Sequence, residues 1–470
     1  MINKYKINTG ASVKDYNKVS DWLSFEIPNK IKISSGKVDI GQHISTTLAL
    51  ICSRELGIDI NSIFVNKLNT DITPNEGITA SSLSVPNSGT AIRSASIIFK
   101  KNFLDFAAKS LNLNINNINL EDGVAKDPNS NASISFWDFS KTEEFLKLSI
   151  PEIIEIEDQK NFDYSSHVET KFINSIVKGE YKFLHDLRFD DMLHARIVRP
   201  PSYFHKFLSI NNAIHKYLKD HNLKLYIKNS FIAVLGNDEF EVIKSLNRIK
   251  NSIEWEQVNK LANDKIFNLI DQNSKDSLIV KKGGEAFHEN IPEIKSYNND
   301  NHKTLTSEFN KPYLMHGSIG PSASCSFYKN GKFIIYSHSQ AIYALKSILS
   351  NAFNLKEKNI TLHFMPGAGC YGHNGADDVT YEATLLSKEF ENKYVLLKWT
   401  REDEHCWEPY GSASKNKLTA TLDENNKIIY WSSEAYSDTY LTRPMVGKLE
   451  YFVSQRFINN DFKKYKVEPR

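Results

Sequence analysis

The sequence predicts a multidomain α+β protein, on three observations. Its 470 residues are too many for one hydrophobic core. Apolar residues recur at helical spacing in some stretches and at strand spacing in others. Polar loops rich in glycine, serine or threonine separate those stretches.

The first unit covers 25–150. Residues 30–35 alternate as a short strand. Residues 45–56 form a helix, with Leu48, Cys52 and Leu56 four apart on one face. Residues 62–68 are the next strand. Residues 69–89 are dense in Thr, Ser, Asn, Pro and Gly and form a long loop. Such loops in compact domains are mostly functional or mobile. Residues 89–111 are a long helix whose buried face holds Ile92, Ala95, Phe103, Phe106 and Ala107. A connector at 150–170 leads to a small α+β unit, 169–256. Here 193–198 is a strand stopped by Pro200-Pro201. Residues 223–235 hold a strand or a hairpin turning at Lys228-Asn229-Ser230, and 240–249 is an amphipathic helix. Residues 257–305 are polar and irregular. The third unit is 306–470. Strands 322–328 and 333–336 flank the turn Lys329-Asn330-Gly331. Helix 341–353, strand 360–364, a Gly-rich loop 367–375, helix 377–388 and strands 394–399 and 417–422 follow.

Composition narrows the function. A net charge of +2 gives no field for nucleic acid. Cys52, Cys325, Cys370 and Cys406 show no CxxC spacing, which argues against a zinc ribbon or an iron–sulfur cluster within the chain. No stretch has the length of a membrane span, and the polar first residues do not read as a signal peptide. The chain reads as cytoplasmic; an export signal upstream would make it periplasmic.

Three loops have residue types suited to an anionic ligand. Gly41-Gln42-His43 precedes a helix, whose N-terminus favours anions, and a glutamine amide both donates and accepts. The plainer reading of the residues alone is a polar turn capping that helix. Thr79, Ser81, Ser82 and Ser84 put hydroxyls and free N–H groups ahead of the long helix, as a phosphate cradle or a plain surface loop. Gly367 to Gly375 lets backbone amides approach a ligand, or is a structural turn; its spacing is neither a Walker loop nor a dinucleotide fingerprint. Asp403-Glu404-His405-Cys406 reads as a solvated helix start, since neighbouring residues do not readily converge on one metal ion.

Taken together, these segments resemble the molybdopterin-binding large subunits of xanthine dehydrogenases and aldehyde oxidases. The stretches carrying the resemblance are GKVDIGQHISTTLALICSRELGI, NTDITPNEGITASSLSVPNSGTAIRSA, FLHDLRFDDMLHARIVRPP, MHGSIGPSASCSFYKNGKFIIYSHSQ, PGAGCYGHNGADD and WTREDEHCWEPYGSA. Their order is that of the permuted branch containing isoquinoline oxidoreductase and nicotinate dehydrogenase, where the Gly-Gln-Gly loop comes first. The resemblance implies a molybdenum-hydroxylase large-subunit fold. It would comprise a second-type molybdopterin-binding segment, a small hammerhead α/β domain at 169–256, and a first-type molybdopterin-binding domain, incomplete at the C-terminus.

It also implies roles. Gln340 matches the glutamine beside the metal's oxo ligand. Gly369, Cys370 and Tyr371 lie on the loop facing the metal, Gln42 matches the pterin-binding glutamine, and Thr79, Ser81, Ser82 and Ser84 match the loop around the pterin and its phosphate. No side chain would ligate molybdenum, which is held through the pterin dithiolene. The implied cofactor is molybdopterin cytosine dinucleotide, with a [2Fe–2S] cluster only on a small partner subunit. The implied substrate is an N-heterocycle or aldehyde, with water supplying oxygen. Two departures stand out. His43 replaces the loop's second glycine, and Cys370-Tyr371-Gly372 stands where Gly-Phe-Gly is frequent. The family's arginine loop and base glutamate have no recognisable match, so the catalytic base is unassigned and this chain alone is expected to be inactive. The remainder, or a second polypeptide supplying it, would complete the enzyme. The other reading is a non-catalytic cofactor-binding or assembly module.

Overall fold

The structure is a computed structural model, and it describes residues 4–157, 168–259, 266–273, 278–280, 286–288, 302–437, 443–444 and 449–462. Much of the connector at 150–170, of the stretch 257–305 and of the last thirty residues lies outside those ranges.

The N-terminal part is two helices against a small sheet. Helix α1 (Ile44–Leu56) ends at Gly57, whose φ of +73° suits glycine and whose N–H reaches Ser53 O. Helix α2 (Thr90–Leu111) packs on it, entered through a π-helical turn at Val85–Gly89. Leu48, Cys52 and Leu56 are buried together, as their spacing requires. Strand Ile31–Ile33 pairs antiparallel with Leu23–Ser24 and parallel with Ile63–Val65. The core is strongly aromatic. Phe99 of α2 stacks on Phe25 at 4.4 Å and meets Phe136 edge-on at 5.0 Å. Phe103 meets the same Phe136 ring at 4.6 Å.

The centre is one seven-stranded mixed sheet. Its strands in chain order are β1 (Leu193–Ile197), β2 (Lys224–Lys228), β3 (Phe231–Gly236), β4 (Ala323–Lys329), β5 (Lys332–Ser337), β6 (Ile360–Phe364) and β7 (Tyr394–Lys398). They lie side by side as β2-β3-β1-β7-β4-β5-β6. The β1–β7 and β5–β6 pairs are parallel and the rest antiparallel. The two later stretches, read from sequence as separate units, therefore contribute to a single sheet joined along β1–β7. Both predicted turns are hairpins, with Asn229 and Asn330 in the left-handed region that asparagine tolerates.

Helices that dress the sheet include α3 (Glu239–Lys250), α4 (Ile342–Phe353), α5 (Ala376–Glu389), α6 (Arg401–Trp407) and α7 (Val453–Asn459). One face buries Ala195, Phe231, Ile335, Leu362 and Leu397 against Leu345 and Leu349 of α4 and Val379 and Leu386 of α5. The other face carries two smaller cores. Ile232 and Val234 pack on Val242, Leu246 and Ile249 of α3. Ala323, Cys325 and Leu396 pack under Leu184, Met192 and Met365.

Sequence reasoning missed several strands. Lys303–Lys311 and Ile428–Ser437 flank Ser414–Leu422 in a three-stranded antiparallel sheet that is largely exposed. Within the stretch read as irregular, Ile266–Asn273 is helical and Leu278–Val280 pairs with Ala286–His288. No helix among the described residues is long and apolar enough to cross a membrane.

Candidate functional site

The loop after strand Ile63–Val65 is shaped by half-buried polar contacts. Glu76 is the only charged residue between Ile72 and Ser84. Its carboxylate accepts from Ser12 Oγ (2.7 Å), Ser88 Oγ (2.6 Å), Ser35 Oγ (3.1 Å) and Gly36 N–H (2.8 Å). Lys37 Nζ donates to the carbonyls of Glu76 (2.6 Å) and Ile78 (3.0 Å). Burial lowers the Lys37 pKa, against the opposing pull of Glu76. A Cβ at Gly36 would lie 2.1 Å from Pro74 O, so only glycine lets the two backbones approach this closely.

The loop delivers Thr79 to Gln340. Thr79 N–H donates to Gln340 O (2.9 Å), and Gln340 Nε2 donates back to Thr79 O (2.7 Å). Thr79 Oγ1 accepts from Val38 N–H at 2.9 Å. Ser81 and Ser82 follow, both exposed and left-handed with φ of +56° and +55°. Ser84 is half-buried, next to the π-helical turn that opens α2.

Gln42 folds into its own turn. Its Oε1 accepts from Ile40 N–H (2.7 Å) and its Nε2 donates to Val38 O (2.9 Å). The N-terminus of α1 is already served by Asp39, which accepts from His43 N–H at 3.0 Å and from Gly41 and Ser45 N–H at 3.4 Å each. An internal carboxylate thus holds the place that the sequence suggested for an external anion.

The Gly-rich loop lies across aromatic rings. A Cβ at Gly367 would meet His338 at 2.8 Å, one at Gly372 would meet His316 at 2.8 Å, and one at Gly375 would meet Trp399 at 2.3 Å. Gly369 has a φ of +107° and Tyr371 one of +57°, with the Tyr371 ring 62% exposed. Cys370 is buried; its thiol donates to Gly372 O and lies 3.8 Å from Gln340 Oε1. Burial pushes the thiol pKa up, which keeps it protonated. Beneath the loop, Asp377 accepts from Ser339 Oγ and from Arg443 Nε (2.9 Å), and lies 3.4 Å from His373 Nε2. Burial opposes ionisation there, yet Arg443, His373 and Ser339 hold the Asp377 carboxyl well below the usual range.

Gln42, Thr79, Gln340 and Cys370 thus form one contact chain through Val38, with Ser81, Ser82, Gly369 and Tyr371 on the adjoining loop surfaces. A small cavity of about 40 Å³ lies behind Val38, against Leu48, Leu68 and Tyr181, and none of the nine predicted residues lines it. Sequence reasoning missed Lys37, Glu76, Asp377 and Arg443. A lone acid in an otherwise neutral loop was the available signal for Glu76.

The Asp403 cluster is corrected by the structure. Thr400 and Asp403 form the capping box of α6, but Asp403 and Glu404 are buried rather than solvated. Glu404 accepts from Ser322 N–H (2.8 Å) and Oγ (3.0 Å). Burial, reinforced by Glu408, raises its pKa to about 7.

One backbone feature singles out the three loops. Most described non-glycine residues with positive φ are Asn or Asp, which visit that region readily. The four others are His43, Ser81, Ser82 and Tyr371. All four fall in the three loops picked from the sequence, and unfavourable backbone of this kind clusters at ligand sites.

Two family models, each described as a molybdopterin cofactor-binding domain, match the chain: the second type over residues 1–174 and the first type over 285–468. The chain belongs to the molybdopterin-binding family. One subunit of the nicotinate dehydrogenase of Pseudomonas putida is 26% identical over 407 residues, covering 84% of this chain and 33% of that protein. A membrane-bound aldehyde dehydrogenase [pyrroloquinoline-quinone] of Gluconacetobacter polyoxogenes is 21% identical over 454 residues, covering 91% and 57%. The chain therefore spans between a third and somewhat over half of these relatives. Among solved structures, quinoline 2-oxidoreductase from Pseudomonas putida 86 overlays with a TM-score of 0.40 at 12% identity, over 56% of this chain and 38% of that one. The aldehyde oxidoreductase of Desulfovibrio gigas overlays with a TM-score of 0.38 at 12% identity, over 56% and 33%.

Proposed function

We propose that this molybdopterin-family chain is the cofactor-binding part of a molybdenum hydroxylase acting on an N-heterocycle or an aldehyde. Its cofactor is molybdopterin cytosine dinucleotide, water supplies the oxygen, and electrons leave to a separate [2Fe–2S] subunit. The carrying observation is that His43, Ser81, Ser82 and Tyr371 hold left-handed backbone in three loops tied together at the Thr79–Gln340 bridge. The residues suit an anionic pterin. Ser81 and Ser82 offer exposed hydroxyls and N–H groups to a phosphate. The amides of Gly369 to Gly372 lie on a strip without bulky side chains except the outward Tyr371. Gln340 holds the Thr79 loop through one amide N–H and keeps a second for the cofactor. When bound, the molybdenum centre supplies the redox chemistry. The chain would orient the cofactor, with the buried Cys370 and Gln340 lying beneath the loops that would hold it.

The second reading, a binding module that requires a complementing polypeptide, draws on the acids. Three described carboxylates beside the loops are committed: Asp377 to Arg443, Glu76 to four donors, Asp39 to the α1 amides. None is placed to act as a general base. Co-expression with an iron–sulfur partner, followed by molybdenum analysis and nucleotide release, tests the first reading. One molybdenum and one cytidine nucleotide per chain are expected, and Ser82→Pro should abolish both. Folded wild-type chain that acquires neither from a molybdenum-replete host would overturn it.

A further inference from the structure

The second face of the central sheet carries a charge cluster lying between its two small cores. His194 and Arg196 of β1 project there. Lys398 of β7 stands next to Arg196 across the parallel seam, since Ala195 registers with Leu397. Arg188 reaches the same point from the segment before β1. All four converge on one carboxylate, Glu239, the first residue of α3. The distances are 2.8 Å from Arg196, 2.9 Å from Lys398, and 3.6 Å from both Arg188 and His194. Among the described residues no other acidic side chain pairs with any of these four.

The charges do not balance. Three permanent cations share a single anion, and like charges side by side on neighbouring strands repel. The N-terminus of the twelve-residue α3 is already capped by Asp238, which accepts from Phe240 and Glu241 N–H, so the excess positive charge rests on the side chains alone. His194 is only 6% exposed, and its Nδ1, aimed at Glu239, makes no hydrogen bond. Burial lowers the Lys398 pKa, and Arg188 and Arg196 add to that effect against Glu239. The cluster opens to solvent on one side, where the Arg188 side chain is 57% exposed and Glu239 is 22% exposed. Lys398 has three N–H donors and Glu239 takes one of them.

We propose that this cluster binds a phosphate group at its solvent-facing side as a second anion beside Glu239, held by Arg188, Lys398 and His194. It shares no residue with the three cofactor loops. The group is either free inorganic phosphate or the phosphate of a small metabolite.

Calorimetric titration of the full chain at constant ionic strength tests this, with inorganic phosphate and a nucleoside monophosphate as probes and chloride as control. One saturable site is expected. Arg188→Gln and Lys398→Gln should each weaken it roughly tenfold, the loss of one charge-assisted hydrogen bond. Glu239→Gln should tighten it, because the competing carboxylate is gone; a purely structural ion cluster would give no such gain. Tighter binding of the nucleotide than of phosphate identifies a metabolite ligand, and equal binding identifies the free ion. Absence of saturable binding with both probes, or binding unchanged in both Arg188→Gln and Lys398→Gln, overturns the proposal. Arg188 is exposed enough for its variant to fold.

Discussion

At the scale of single residues, the site is built on positions where a small change meets a hard wall. Gly375 is the sharpest case, with the Trp399 ring where a Cβ would go. Gly375→Ala should cost about 1–3 kcal/mol by overpacking, read from the urea midpoint. An unchanged midpoint would show that the ring moves freely. Gln340 was singled out from the sequence as a cofactor-binding candidate, but its grip on Thr79 could not be read there, because the partner lies 261 residues away. Gln340→Ala should therefore lower both molybdenum content and stability, the latter by about 1–3 kcal/mol for the abandoned Thr79 carbonyl. Loss of metal with no loss of stability would deny the bridge a structural part. Two buried acids set a pH dependence. Burial raises the Asp378 pKa to about 8, and Glu404 rises to about 7. Unfolded carboxylates titrate near roughly 4, so between there and the folded values the native state holds more protons. These two groups then make stability fall as pH climbs from about 4 to about 8. Asp378→Asn should flatten that slope in denaturant midpoints taken across the window, and an equally steep slope would contradict it.

At the scale of elements, most helices and the hairpins were readable, and the outer sheet was read only at its middle strand, Ser414–Leu422. Helix α2 shows its face through Ile92, Ala95, Phe103 and Ala107, while Phe106 is only half-buried and the importance of Phe99 escaped notice. Phe99 is fully buried among Phe25, Phe103, Phe136 and Phe139. Phe99→Ala should cost about 3–5 kcal/mol in equilibrium unfolding; a loss below about 1 kcal/mol would mean that the aromatic cluster closes over the gap. Strand Lys303–Lys311 defeats pattern reading for a physical reason. Alternation betrays a strand only when one face is buried, and every residue of this one is exposed. The Asp403-Glu404 pair misleads in the opposite way: charged residues read as solvated, because the Ser322 donors that make burial tolerable lie far off in sequence.

At the scale of the whole molecule, Arg199 joins its parts. The guanidinium pairs with Glu382 of α5 at 2.7 Å, lies 3.8 Å from Asp403 of α6, and sits over the Trp399 and Trp407 rings. Ser454 of α7 bonds the same Glu382, and Val453 N–H reaches Asp378. Arg199→Ala should cost about 3–5 kcal/mol, since it strands buried carboxylates. A double variant with Glu382→Gln should recover part of that loss, and strict additivity of the two would exclude a direct pair. The outer sheet leaves Leu305, Phe309, Ile428 and Trp431 about half exposed. Apolar patches of this kind promote self-association. Light scattering should fall when Phe309 and Trp431 are both replaced by Ser, and unchanged scattering would locate the sticky surface elsewhere.

The parallel seam between β1 and β7 has an evolutionary corollary. A segment that donates strands to the middle of another segment's sheet is not a cassette. Swapping 169–256 for the equivalent stretch of a distant homologue would bring foreign edges to Val395, Leu396 and Leu397, whose backbones register with Leu193, His194 and Ala195. Recombination between lineages should succeed only when both sides of that join travel together, so the two stretches are expected to share one ancestry.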